Sequence, residues 1–154
     1  MCDTIVIGLG NPLMGDDGIG IRLVNDLAVE FAGDSVEFAD AGTSGMCVLH
    51  LIAGRKKAFL IDCALMNADP GTIRRFTPDD ITARNILAHL SNHEGSLLEI
   101  LELSRRLGEL PEEVVIFGIE PVRVSPGEYL SPILMEQMEY YRQLIGKELS
   151  ECGG

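Results

Sequence analysis

The sequence predicts an α/β fold, in which a twisted and mostly parallel sheet lies between two layers of helices. Short apolar runs rich in β-branched residues alternate with longer stretches whose apolar residues recur every three or four positions. The predicted order is strand, helix, strand, helix, strand, strand, helix, strand, helix, which is typical of parallel strands joined by helical crossovers. We therefore expect a three-layer αβα arrangement with five strands and helices on both faces, formed by residues 1–154 as a single domain.

Each predicted element has a local signal. The strands are short apolar runs; in chain order they are 3–8, 35–40, 57–63, the stretch from the turn at 69–71 to 76, and 112–121. The helices have apolar residues on one face and a cap or a stop; they run from Asp17 to Gly33, from Thr43 or Ser44 to Ala53, from Ser96 to Gly108, and from Ser131 onward. Residues 78–95 carry no clear signal.

Composition and charge narrow the class of protein. The chain has 12 basic and 24 acidic residues and a net charge of −12, which argues against a nucleic-acid partner. Its apolar stretches are far shorter than the ~20 residues of a membrane helix, and the first residues lack the basic region of a signal peptide. None of the four cysteines forms a CxxC pair. A reduced, cytoplasmic protein is expected.

The functional site is expected at one edge of the sheet. In open α/β sheets, ligands bind beyond the carboxyl ends of the strands. That rule selects residues 8–17 after the first strand, 40–45 after the second and 62–68 after the third.

The first of these loops does not fit a nucleotide site. Gly8 and Gly10 match the start of GxGxxG, but Leu13 stands at the third position and no GK[ST] follows. Asp16 and Asp17 would also face the phosphate: a like-charge pair at ~4 Å costs about 4 kcal/mol at an effective dielectric of about 20. A helix N-terminus favours an anion by only ~1–2 kcal/mol. Nucleotide binding is therefore not expected.

The acidic pair has two competing interpretations. Asp16 can simply cap the following helix, because a cap needs only one carboxylate. A second acid, Asp17, is not explained by capping. Gly18 and Gly20 each cost about 1 kcal/mol relative to alanine inside a helix. Their presence indicates that something approaches this backbone closely.

Two further residues complete a candidate site. Asp62 ends the buried third strand and is either a turn-forming residue or a ligand or general acid/base that faces the first loop. Among the histidines, His50 lies at helical spacing among apolar residues and is interpreted as structural. His89 and His93 are four residues apart and would pair on one helix face. The loop-like sequence around His93 instead makes it the better single candidate.

Two acids and one imidazole favour a divalent transition metal, although ligand types alone do not choose among nickel, zinc, manganese and iron. No GxSxG elbow occurs, and no cysteine has an adjacent histidine, so covalent catalysis lacks a candidate.

These segments together resemble the maturation endopeptidases of nickel–iron hydrogenases over nearly the full chain. The matching pieces follow the family's order: GLGNPLMGDDGIG at 8–20, DAGTSG at 40–45, LIDCA at 60–64, DPGTI at 69–73, SNHEG at 91–95 and FGIEP at 117–121. The combination is specific, whereas any one piece alone is weak. Two mild departures are Ala41, where many members have glycine, and Asp17, where many have glutamate.

The resemblance implies a role for each of these residues. The metal-binding and catalytic trio is Asp17, Asp62 and His93. Substrate recognition is assigned to Asp40, Gly42 and Thr43, and the supporting loop to Gly8, Gly10, Asn11, Asp16 and Gly18.

The implied reaction removes a C-terminal extension from the large-subunit precursor of a nickel–iron hydrogenase after nickel insertion. The nickel carried by the precursor serves as the recognition element, although other divalent metals can occupy such a site. Nucleic acid and membrane are not expected as partners. Either the metal or a carboxylate activates water.

Two alternatives stay open. A peptidyl-tRNA hydrolase also begins with a strand and GLGNP, but it requires a catalytic histidine soon afterwards and a basic surface. A non-catalytic nickel-binding maturation factor would use the same trio.

Overall fold

Five strands form one sheet in the computed structural model, which describes residues 1–33, 35–84 and 97–152, without the side chains of 82–84. The strands are β1 (Thr4–Gly8), β2 (Val36–Asp40), β3 (Lys57–Cys63), β4 (Ile73–Phe76) and β5 (Glu113–Ile119). Their order across the sheet is β2-β1-β3-β5-β4. All neighbouring pairs are parallel except β4 and β5, which are antiparallel. The predicted five-stranded, mostly parallel sheet is confirmed.

Helices cover both faces of this sheet. In chain order they are α1 (Ile19–Glu30), α2 (Gly45–Ile52), α3 (Pro78–Arg84), α4 (Leu97–Arg106) and α5 (Pro132–Cys152). Apolar residues of α1 and α5 pack on one face of the sheet, and those of α2 and α4 pack on the other. The three-layer prediction is therefore correct. Within the described ranges, no helix combines the length and apolar character that a membrane crossing requires.

The central strands are apolar because they are covered on both sides. Every residue of β3 after Lys57 is buried, and the same holds for β5 after Glu113. Phe59 and Phe117 lie side by side in the α1/α5 layer, with ring centroids 6.2 Å apart. Strands of this kind show an unbroken apolar run instead of alternation.

Two local predictions need correction. The sequence interpretation has no helix between the fourth strand and the capping box, yet α3 lies there. The first helix is predicted from Asp17, but residues Gly15–Gly18 form a 3₁₀ turn and α1 begins only at Ile19. Gly18 and Gly20 favour this break because glycine is a poor residue for an α-helical first turn.

Candidate functional site

The loops that follow β1, β2 and β3 meet at the carboxyl edge of the sheet. The Gly10 amide donates to the Gly42 carbonyl at 2.9 Å, and the Ala41 amide donates to the Gly8 carbonyl at 3.0 Å. The Leu9 amide donates to the Ile61 carbonyl at 2.9 Å. Backbone hydrogen bonds therefore tie the first two predicted loops to each other and the first loop to the end of β3.

Asp17 lies in the 3₁₀ turn, where its position is set from within its own loop. It is 9% exposed, and its Oδ2 accepts a hydrogen bond from the Asn11 amide at 2.9 Å. The Asn11 side chain in turn accepts from the Leu13 amide at 3.0 Å. Asn11 thus holds the turn and orients the Asp17 carboxylate.

Asp16 does not cap α1, so that interpretation is wrong. The cap position of α1 is Gly18, which makes no side-chain cap hydrogen bond. Asp16 is fully buried, and its two oxygens accept hydrogen bonds from Val122, Arg123 and Ser131 instead. The carboxylate turns toward a distant part of the chain because four donors converge there.

Glycine is required in this loop by the protein's own backbone. Gly10 has φ of 127°, and an added Cβ would overlap the carbonyl oxygen of Asp17. A Cβ on Gly18 would lie 2.7 Å from the Pro12 Cα. At Gly20 it would overlap the carbonyl oxygen of Ile61. The close approach predicted from Gly18 and Gly20 is therefore made by neighbouring chain segments.

Asp62 is the second-last residue of the central strand β3 and is fully buried. In β3 it pairs with Gly118 of β5. Its neighbours Ile61 and Cys63 pack in the α1/α5 layer. Because side chains alternate along a strand, the Asp62 side chain points toward the face that α2 and α4 cover.

The pKa of Cys63 indicates that negative charge is concentrated at this edge of the sheet. Burial raises the pKa of its thiol far above the usual value, and the negative charges of Asp62, Asp17, Asp16 and Glu120 raise it further, in that order. Four carboxylates therefore lie within electrostatic range of one thiol. The raised pKa keeps the Cys63 thiol protonated at neutral pH, and a protonated thiol is a poor nucleophile.

The loop after β2 is more exposed than the 3₁₀ turn Gly15–Gly18, which we call the acidic turn. Asp40 ends β2, and its Oδ1 accepts a hydrogen bond from the Gly42 amide at 2.7 Å. The side chains of Asp40 and Thr43 are exposed. Ser44 caps α2 by accepting from the Cys47 amide at 3.1 Å. The loop is rigid at its base and presents polar groups to solvent beside the acidic turn.

Glu120 is a buried acid to which the sequence interpretation assigns no role. Its Oε1 accepts hydrogen bonds from the amides of Met66 and Ala68, both at 2.8 Å. It thereby holds the loop that follows Asp62. The signal is present in FGIEP, where an acid comes directly after a buried strand.

His93 lies outside the described residues, so its position relative to Asp17 and Asp62 stays a prediction. Among the residues whose placement is described, no group of three His, Cys, Asp or Glu side chains is arranged to hold a metal ion. The described part of the proposed trio is therefore the pair of acids alone.

Comparisons with known proteins agree on one family. Residues 21–148 match a family model described as hydrogenase maturation protease. Hydrogenase 2 maturation protease of Escherichia coli is 29% identical over 151 residues, which cover 97% of this chain and 92% of that protein. The hydrogenase expression/formation protein HupD of Thiocapsa roseopersicina is 28% identical over 98% of this chain and 69% of its own length.

Solved structures show the same similarity. The hydrogenase maturating endopeptidase HybD from Escherichia coli superposes with a TM-score of 0.85 at 29% identity, covering 99% of this chain and 94% of that one. A [NiFe] hydrogenase maturation protease, HycI from Thermococcus kodakarensis, has a TM-score of 0.75 at 20% identity and covers 96% and 92% of the two chains. The second likeness concerns the fold alone.

Proposed function

Because this chain belongs to the hydrogenase maturation protease family, we propose that it removes the C-terminal extension of a nickel–iron hydrogenase large-subunit precursor after nickel insertion. Its family makes it an endopeptidase and therefore a hydrolase. The observation that carries the proposal is the collection of carboxylates at the carboxyl edge of the sheet, with Asp17 in the turn after β1 and Asp62 near the end of β3. Such a site attracts a cation and repels phosphate.

Nickel enters this proposal as part of the substrate. Asp17 and Asp62 offer oxygen ligands, and His93 is proposed to add a nitrogen ligand, a mixture that suits a divalent transition metal. Because the precursor brings ligands of its own, the protease needs only an open, incomplete set.

The proposed bond cleavage uses water. Peptide hydrolysis requires that a water molecule lose a proton as it attacks the carbonyl carbon. A carboxylate of Asp17 or Asp62 can accept that proton as a general base. The nickel ion in the precursor would supply Lewis acidity to the carbonyl or to the water. The hydrogen bond from the Asn11 amide keeps Asp17 in a fixed orientation for either role.

The direct test is incubation of the purified protein with nickel-loaded and nickel-free precursor, followed by mass measurement. We expect the nickel-loaded precursor alone to lose a C-terminal peptide. Asp17→Asn, Asp62→Asn and His93→Ala should each abolish cleavage while far-UV circular dichroism stays that of the folded protein.

Asp26→Asn is the matched control, because it makes the same chemical change at an exposed ion pair with Arg142. It should cleave at the wild-type rate. Full cleavage by Asp17→Asn would remove that residue from the site. Binding of the nickel-loaded precursor without any loss of mass would instead support the non-catalytic nickel-binding factor.

A further inference from the structure

The Asp16 carboxylate joins the acidic turn to a distant segment of the chain. Its Oδ2 accepts from the amides of Val122 at 2.9 Å and Arg123 at 3.2 Å, and from the Ser131 hydroxyl at 2.7 Å. Its Oδ1 accepts from the Ser131 amide at 2.6 Å. One fully buried side chain thus receives four hydrogen bonds from residues 122–131, which we call the anchor segment.

The anchor segment needs such an attachment. It connects β5 to α5, and most of its residues between 122 and 129 are exposed to solvent. The Asp16 carboxylate lies at the N-terminus of the 21-residue helix α5, where backbone amides and the helix dipole favour a negative charge. Ionised acceptors also form stronger hydrogen bonds than neutral ones.

Backbone hydrogen bonds also attach the start of the acidic turn to the anchor segment. The Gly15 amide donates to the Gly127 carbonyl, and the Gly127 amide donates to the Leu13 carbonyl, both at 2.9 Å. Leu13 and Gly15 therefore hold the chain just before Asp16 to the anchor segment. Asp17 is the next residue along the chain, so its backbone is restricted by the same contacts.

We infer that Asp16 is a positioning residue: it anchors the acidic turn to the anchor segment and thereby fixes where the Asp17 carboxylate lies. The expected effect of Asp16 on catalysis rests on the proposed function. The expected effect on the position of Asp17 depends only on the contacts described here. Asp16 acts through Asp17 and makes no contact with the reacting bond in this proposal.

An amide cannot replace the Asp16 carboxylate. Both of its oxygens accept from backbone N–H groups, so either orientation of an asparagine side chain would place its NH₂ group against another donor. Asp16→Asn is therefore expected to loosen the anchor segment and the turn. Ser131→Ala removes one donor and leaves the three amides in place.

The structural experiment follows the Asn11 amide by NMR and hydrogen exchange. This amide donates to the Asp17 carboxylate and touches neither Asp16 nor the anchor segment in any described hydrogen bond. In Asp16→Asn we expect its chemical shift to move and its exchange to accelerate. A role limited to overall stability would leave it unchanged under conditions where the protein is folded, as in the control Asp26→Asn.

The kinetic experiment measures cleavage of nickel-loaded precursor. For Asp16→Asn we expect kcat to fall about 10–100-fold, the usual effect of removing a residue that orients a metal ligand. KM should change by less than about twofold, because the binding surface itself is intact. For Ser131→Ala we expect a smaller fall in kcat, of about fivefold.

The outcomes separate this inference from the proposed function. If the wild-type protein does not cleave the precursor, the proposed function fails, and the Asn11 amide still tests the positioning of Asp17. A folded Asp16→Asn variant with an unchanged Asn11 amide and full kcat would overturn the inference. If that variant does not fold, Ser131→Ala decides, and a wild-type kcat together with an unchanged Asn11 amide overturns it.

Discussion

Gly10→Ala should destabilise the protein far more than the same substitution at another glycine with positive φ. Gly10 has φ of 127°, and a Cβ there would overlap the carbonyl oxygen of Asp17. Gly108, which follows α4, has φ of 71°, and among the described residues no atom lies within 4 Å of the place where its Cβ would be. Comparing Gly10→Ala with Gly108→Ala therefore separates the cost of steric overlap from the cost of backbone strain.

The expected losses in the free energy of unfolding are the sum of backbone strain and steric overlap. A non-glycine residue in the left-handed region costs about 1–2 kcal/mol. Overlap that forces the backbone to shift adds about 1–3 kcal/mol. We expect Gly108→Ala to lower the free energy of unfolding by about 1–2 kcal/mol and Gly10→Ala by about 2–5 kcal/mol. At this chain length, each kcal/mol corresponds to a fall in Tm of about 2–4 °C.

Urea denaturation followed by far-UV circular dichroism measures both losses under one set of conditions. Cleavage of the precursor adds a second measurement, because the displaced atom in Gly10→Ala belongs to Asp17. We expect that variant to lose activity at temperatures where it is still folded, whereas Gly108→Ala keeps the wild-type rate. Equal free-energy losses in the two variants, or full activity in Gly10→Ala, would refute the reasoning.

Two further predictions concern buried ionisable groups. In the native protein Cys63 should react with iodoacetamide more slowly than Cys2, Cys47 and Cys152, because burial and four carboxylates raise the pKa of its thiol. Mass spectrometry measures the labelling, and Cys63→Ala should keep its cleavage rate; a folded variant without activity would give the thiol a role. Burial also raises the pKa of Tyr141 to about 12, and its hydroxyl donates to the Gly71 carbonyl. The folded protein therefore favours the neutral Tyr141 hydroxyl, and this contribution to stability is complete below about pH 10, the pKa of tyrosine in an unfolded chain. It is lost as the pH rises toward about 12. In that range the free energy of unfolding should fall more steeply with pH in the wild type than in Tyr141→Phe.

The strands could be predicted from the sequence because burial determines their composition. The run at 57–63 is apolar at its centre because β3 lies between two strands and two helix layers. The convergence of the chain after β1, β2 and β3 could also be predicted, because the carboxyl ends of parallel strands share one edge of the sheet. The sequence places Asp17, Asp40 and Asp62 at that edge because each lies near or after the end of a predicted strand.

The partners of the buried acids could not be predicted in the same way. Asp16 has a local candidate role as a helix cap, yet its hydrogen bonds reach residues more than 100 positions away. Glu120 similarly holds Met66 and Ala68 through contacts between distant parts of the chain. Local patterns describe which residues can cap or turn, but the identity of a long-range donor depends on how the layers pack.

The attachment between residue 16 and residue 131 also bears on the order in which the protein matures. Asp16 leaves the ribosome early, but the donors to its carboxylate are synthesised 106 to 115 residues later. A growing chain that ends before residue 122 contains Asp16 and lacks the amides that donate to its carboxylate. The turn that carries Asp17 therefore gains this attachment only after the last part of the chain has been synthesised and has packed against it.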